Sequence, residues 1–171
     1  MNYFELFGLA PDYTVDTQSL AVTYRELQKQ FHPDRFATAG EGERLVALQK
    51  ASEINDAFQT LKSPLRRAEY LLSLAGIELK AEQQTLRDPS FLMQQMEWRE
   101  QLEDIAQSNQ VEADIAEFEQ TLKQSQQQLQ TELEAQLSQQ AYESAAVSVR
   151  KLKFMFKLQD ELERLEESLL E

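Results

Sequence analysis

Residues 24 to 35 read YRELQKQFHPDR, and the interruption inside this stretch decides how the chain is built. The residues before it carry helical spacing: Leu20, Tyr24, Leu27 and Phe31 lie 4, 3 and 4 apart, one apolar stripe. Pro33 then removes an amide proton and would cost ~3 kcal/mol inside a helix. It also drives the residue before it, His32, away from helical backbone angles. His32-Pro33-Asp34 is therefore expected as a loop closing the second helix. The chain's single histidine sits in it, and Arg35 follows at once. On a helical wheel Arg25, Lys29 and His32 share about one face.

Working outward, the expected elements are helices joined by short turns. Asn2 caps a short helix with Tyr3, Leu6 and Phe7, and Asp16 or Thr17 caps the next. A third helix is expected from about Glu43 to Leu61, with the stripe Leu45, Leu48, Ala51, Ile54 or Asn55, Phe58 and Leu61. Ser63-Pro64 opens a fourth, which stops at Gly76. The segment IELKAEQQ after it reads as a linker. All four glycines and all four prolines lie in the first 89 residues. Beyond them three long helices are expected. The first runs from Asp88-Pro89 to about Gln107. The second carries Val111, Ile115, Phe118, Leu122, Leu129 and Leu133. The third starts near Ser138 and carries Ala145, Val149, Leu152, Met155, Leu158, Leu162, Leu165 and Leu169. The tract QSQQQLQTE keeps helical spacing and reads as a solvated helix face. The expected fold is all-α: a four-helix N-terminal domain and an antiparallel three-helix bundle.

Composition sets the limits on chemistry. The 171 residues contain no cysteine, which removes disulfides, thiol catalysis and cysteine metal sites. Residues 1–75 carry 8 Lys and Arg against 10 Asp and Glu, a net of −2. Residues 76–171 carry 9 against 20, a net of −11. That half repels nucleic acid and anionic membranes and attracts a positively charged protein. Solubility alone is the plainer use of acidic helices. No apolar run reaches membrane-spanning length and no signal peptide is read at the start, so a cytoplasmic location is expected. No enzyme activity, cofactor or metal is expected, since no nucleophile, second histidine or phosphate loop accompanies His32.

Three readings of His-Pro-Asp compete: a helix stop with histidine near a helix C-terminus, a catalytic base with its orienting carboxylate, and a recognition loop. Context selects the third. YRELQKQFHPDR resembles the signature of the J-domain, the module of DnaJ-like co-chaperones. Ile54-Asn55, Ala57-Phe58, Leu61, Pro64, Arg67-Ala68 and Tyr70 are similar to its later helices in order and spacing, and NYFELFGL to its first. Leu71 departs from the pattern, since many J-domains carry aspartate there. Helix four stays apolar through YLLSL, which suggests packing against something further on.

The glycine-phenylalanine segment and cysteine zinc modules of general-purpose relatives do not occur here. The order of parts, with FLM-x-Q at Phe91 to Gln95 and VRKLKF at Val149 to Phe154, resembles the HscB family, J-type co-chaperones of iron–sulfur cluster biogenesis. The resemblance implies a J-domain over 1–75, a linker over 76–84 and a helical scaffold-binding domain over 85–171. It implies docking of a specialised chaperone of the HscA type through His32, Pro33, Asp34, Arg25, Lys29 and Arg35, with stimulation of that partner's ATPase. It implies delivery of an iron–sulfur scaffold protein of the IscU type, with cluster release favoured when hydrolysis closes the chaperone on the scaffold. The chain is expected as a monomer. A J-domain protein with a different client and a coiled-coil adaptor are the alternatives.

The first helix of the second half bears on this independently. At 100° per residue, Phe91, Trp98, Leu102 and Ile105 fall within about 60° of one another. Leu92, Met93, Met96, Glu97, Glu100 and Asp104 spread over about 140° of the opposite side. From spacing alone, that second face is either core covered by the linker or the J-domain, or a docking surface. The resemblance implies docking, with Phe154 as a fourth apolar contact and Met96 in place of a leucine usual in relatives. Arg150, Lys151, Lys153 and Lys157 form the basic cluster of the second half. They are expected to partner nearby acidic helices rather than to form an anion site.

Overall fold

The computed structural model describes residues 1–79 and 88–170. Among these residues there are seven α-helices and no strand. They are α1 (Tyr3–Leu6), α2 (Thr17–Gln30), a 3-10 turn (Pro33–Phe36), α3 (Glu41–Lys62), α4 (Pro64–Leu74), α5 (Pro89–Ala106), α6 (Val111–Ser138) and α7 (Tyr142–Leu170). The chain forms two compact units, Met1–Ala75 and Gly76–Glu171. From Lys80 onward the expected linker lies outside the described residues.

In the first unit, local signals set each boundary. Asn2 caps α1 in a reciprocal box with Glu5. Asp16 caps α2, accepting from the backbone of Gln18 and Ser19. Its carboxyl is held below the usual range, first by the Ser19 hydroxyl and then by those backbone amides. Because the folded value is depressed, this contribution is present above the ordinary aspartate pKa and is lost as pH falls through the lowered one. Ser63 caps α4 with Pro64 in its first turn, and Gly76 follows the helix at φ 84°.

The core gathers Phe4, Phe7, Leu20, Ile54, Ala57 and Leu61. Tyr24 stacks on Phe58 at 3.9 Å, and its hydroxyl donates to Asn55 Oδ1 at 2.8 Å. Tyr70 stacks on Tyr3 at 4.7 Å and accepts the Tyr3 amide proton at 2.9 Å, so α4 is locked to the start of the chain. The expected stripe of α3 needs correction. Its inner side follows Ala47, Ile54 and Leu61, seven apart, while Leu45 and Leu48 are 55% and 61% exposed. Those two lie about 160° and 100° around the helix from Ala47. Helix α3 also begins two residues earlier than expected, after Gly40. Leu71 is not left waiting for a distant partner, because it packs against this same core.

Arg67 is a core member that apolar periodicity does not reveal. It is 4% exposed; its Nε donates to the Leu61 carbonyl at 3.0 Å and Nη1 to the Tyr13 carbonyl at 2.7 Å. Its guanidinium lies 5.6 Å from the Tyr13 ring centroid. One buried fork thus ties α3's end and the α1–α2 connection to α4.

The second unit is an up-down-up bundle. Gln126 donates to Gln159 at 2.9 Å and Ser148 to Gln136 at 2.8 Å, so α6 and α7 run antiparallel. Asp88 pairs with Lys151 at 3.7 Å and Arg99 with Glu161 at 3.1 Å, so α5 and α7 run parallel. The expected residues from Ile115 to Leu133 and from Ala145 to Leu162 fill the seam, whereas Val111 and Leu165 are half-buried and Leu169 is exposed. Gln126 completes the heptad between Leu122 and Leu129 and is buried, with its amide paired to Gln159. The Gln-rich tract is helical, but it is not wholly a solvated face, since Gln126 and Leu129 within it are buried in the seam. The last helix begins at Tyr142 rather than near Ser138, because α6 continues to Ser138 and the chain turns through Gln140 at φ 58°. The Ala141 amide closes that turn by donating to the Gln136 carbonyl at 2.8 Å.

Arg67→Met would leave the buried Leu61 carbonyl and the part-buried Tyr13 carbonyl without this donor. The expected loss is about 2–4 kcal/mol, read by hydrogen exchange of amides within residues 1–75. A loss under about 1 kcal/mol would show that water replaces the fork at no cost.

Candidate functional site

Two surfaces, one on each unit, hold the sequence-derived candidates. On the first unit, α2 ends at Gln30 with Phe31 as its C-cap. His32 takes extended angles, φ −62° and ψ 136°, as its place before proline requires. The segment is not a plain loop. Pro33 opens a 3-10 turn, and His32 is its N-cap: Nδ1 accepts the Asp34 amide proton at 3.1 Å. A cap that accepts at Nδ1 leaves the neutral imidazole's proton on Nε2. The Nε2–H is then a donor on a side chain 57% exposed, and the Asp34 carboxylate, 93% exposed, is an acceptor on the same turn. The 3.7 Å approach of Asp34 Oδ2 to Nδ1 is not an ion pair in this state, because Nδ1 carries its lone pair there.

A shallow hollow of about 560 Å³ brings together Arg25, Lys29, His32, Pro33 and Arg35. Gln28, Phe31 and Ala51 complete its lining, and Asp34 stands outside it. Of these three, Gln28 lies three residues after Arg25, so the wheel already places it on the basic face. Ala51 comes from α3, which spacing within α2 does not reach. The hollow is positively charged at its sides and apolar at Phe31, Pro33 and Ala51. It suits an acidic protein surface with a small apolar centre.

On the second unit, Asp88 caps α5 with Pro89 in its first turn. The inner face buries Phe91, Trp98 and Ile105, with Leu102 half-buried. The outer face leaves Leu92, Met93 and Met96 exposed at 37%, 63% and 65%. Glu97, Glu100 and Asp104 are exposed on the same side. Asp104 also edges a cleft of about 250 Å³ shared with Asp114 and Glu117 of α6, floored by Ile105 and Phe118.

Phe154 sits differently from the outer trio. It is half-buried, edge-on to Phe91 at 5.7 Å and stacked on Trp98 at 6.3 Å, with Arg99 5.6 Å from its centroid. Its ring therefore seats α5 on α7. In the basic cluster, Lys151 pairs with Asp88 and lies 5.6 Å from the Phe91 ring centroid. Arg150 is half-buried, and burial lowers its pKa. Its Nε finds no hydrogen-bond partner among the described residues. Among the described residues no group of three metal-ligating side chains gathers, and no helix is long and apolar enough to cross a membrane.

With both surfaces described, comparison with known proteins places the chain. Residues 2–70 match the DnaJ domain family, and residues 87–163 match the family described as the HSCB C-terminal oligomerisation domain. Together they define a J-domain co-chaperone with an added C-terminal helical unit. The co-chaperone protein HscB homologue of Aeromonas hydrophila is 58% identical over 171 residues, 100% of this chain and 99% of the relative. The solved structure of the chaperone HscB from Vibrio cholerae is 54% identical, covers 98% of this chain and 99% of its own, and superposes with a TM-score of 0.95. The human co-chaperone HscB is 28% identical, with coverage of 97% and 82% and a TM-score of 0.89. The chain belongs to the HscB family of co-chaperones.

The single histidine makes the cap directly testable. At a pH where the imidazole is neutral, nitrogen NMR of His32 should show the Nε2–H tautomer. A dominant Nδ1–H signal would mean that Nδ1 does not accept from Asp34.

Proposed function

We propose that this protein bridges two partners: a specialised chaperone of the HscA type, whose ATPase it stimulates, and an iron–sulfur cluster scaffold protein of the IscU type. The division of labour follows the two units, a J-domain over 1–75, a linker over 76–84 and a scaffold-binding domain over 85–171. The observation that carries the reading is the outer face of α5. Three large apolar side chains stand in water beside three carboxylates, on a different unit from the His32 turn. Patches of this kind mark interaction sites.

On the chaperone side, Arg25, Lys29 and Arg35 steer the encounter with an acidic surface. His32 Nε2–H and the Asp34 carboxylate then supply one donor and one acceptor on a backbone fixed by Pro33. The turn stimulates hydrolysis by binding the hydrolysis-committed state of the chaperone better than the resting one. On the scaffold side, Leu92, Met93 and Met96 supply buried area, and the methionines adapt to the partner's shape. Glu97, Glu100 and Asp104 pair with basic groups, and Phe154, half-buried, contributes from α7. The net charge of −11 over residues 76–171 favours a basic partner. Holding both partners on one chain makes their meeting effectively intramolecular. The protein acts in this reading as a cytoplasmic, monomeric co-chaperone with no catalytic group of its own.

A Leu92→Ala, Met93→Ala, Met96→Ala triple variant should bind the scaffold roughly a hundredfold or more weakly by calorimetry, since full burial of each side chain contributes ~1.5–3 kcal/mol. Its stimulation of the chaperone without scaffold should match the parent. A triple variant that binds scaffold like the parent would sink the site.

His32→Asn keeps a capping oxygen but loses the outward ring donor. It should preserve the turn and abolish stimulation of steady-state ATP hydrolysis. Equal stimulation by parent and variant would remove the turn from the mechanism.

A further inference from the structure

We propose that Met93 and Met96 form a peroxide-sensitive modification site, at which conversion to methionine sulfoxide switches off docking on the outer face of α5. The proposal rests on the scaffold reading above and deepens it. The chain has no cysteine and four methionines. No thiol of this protein therefore intercepts an oxidant first. Met155 is 5% exposed inside the bundle, Met1 is 83% exposed on the other unit, and Met93 and Met96 are 63% and 65% exposed on the outer face of α5. The pair is three residues apart on one helix, about 60° around the axis, so the two thioethers are surface neighbours.

The step balances with peroxide as the oxidant. A thioether sulfur lone pair attacks one peroxide oxygen. The O–O bond breaks, the S–O bond forms, sulfur loses two electrons, and the second oxygen leaves as hydroxide that takes the proton of the first and becomes water. The product replaces a soft apolar chain end with a strong acceptor. The carboxylates beside it, Glu97, Glu100 and Asp104, are acceptors too when ionised, and the nearby donor Arg99, three residues after Met96, is already engaged by Glu161 at 3.1 Å. Those carboxylates compete with the sulfoxide for any basic group a partner brings. Docking would therefore bury an oxygen with no donor at the centre of the apolar patch. The fold does not suffer, because neither side chain belongs to the core.

The test uses the full chain with hydrogen peroxide, followed by peptide mass mapping and calorimetric titration of the scaffold. Met93 and Met96 should gain oxygen well before Met155, and saturating scaffold should slow both. Scaffold binding should weaken roughly ten- to hundredfold and recover after treatment with methionine sulfoxide reductase. Stimulation of the chaperone without scaffold should not change. In a Met93→Leu, Met96→Leu variant, compared with its own untreated sample, peroxide should shift affinity less than about twofold. Oxidised parent that binds as tightly as reduced parent would overturn the proposal, and so would an equal peroxide effect on the leucine variant. Failure of untreated parent to bind scaffold would overturn the underlying reading instead, before any peroxide is added.

Discussion

Pro33 has no amide hydrogen, so α2 cannot run through it. The rest of the first unit is arranged around that break. The helix ends, His32 takes extended angles, and a short turn returns the chain to α3, which packs back along α2. The same grammar recurs at Ser63-Pro64 and Asp88-Pro89, where a capping side chain precedes proline at a helix start. In all three a side-chain acceptor satisfies a backbone amide that the new helix leaves free. At His32 the acceptor is an imidazole nitrogen, which determines the face the ring shows to solvent. A constraint on chain direction thereby fixes the hydrogen-bonding character of an exposed tip.

The second unit solves a different problem. Helix α5 has to be held firmly by one side so that the other can remain apolar in water. Phe91, Trp98 and Phe154 supply the hold, with Arg99–Glu161 and Lys151–Asp88 closing the edges. Phe154 lies off its own helix's core stripe because it serves this second contact. The outer trio owes nothing to core packing, which leaves it free for a partner and open to chemistry in solvent.

Much of this architecture was legible in the residues. Caps at Asn2, Asp16, Ser63 and Asp88, the break at Pro33 and the two faces of α5 all rest on local rules, and each holds in the structure. What escaped was set by tertiary context. Leu45 and Leu48 continue a plausible stripe, yet the side of α3 that meets its neighbours is chosen by Ala47, Ile54 and Leu61. Gln126 and Arg67 are polar, so hydrophobic spacing passes over them, although both are buried with partners. A heptad frame finds Gln126; nothing local finds Arg67. The turn at Gln140 uses left-handed backbone without glycine, so spacing alone puts the start of α7 about one turn early. Of the docking turn, position and charge were readable, but its self-capping imidazole was not.

The central claim is that one chain must hold both partners at once. The most direct measurement is chaperone ATP hydrolysis with scaffold present and two full-length variants mixed in equal amounts. One is His32→Asn, which retains the α5 face, and the other is the Leu92/Met93/Met96 triple alanine, which retains the His32 turn. The account predicts that the mixture shows no more than the triple variant alone, because neither chain can bridge. Recovery of the parent's combined stimulation by the mixture would contradict it, since the two surfaces would then work without being joined.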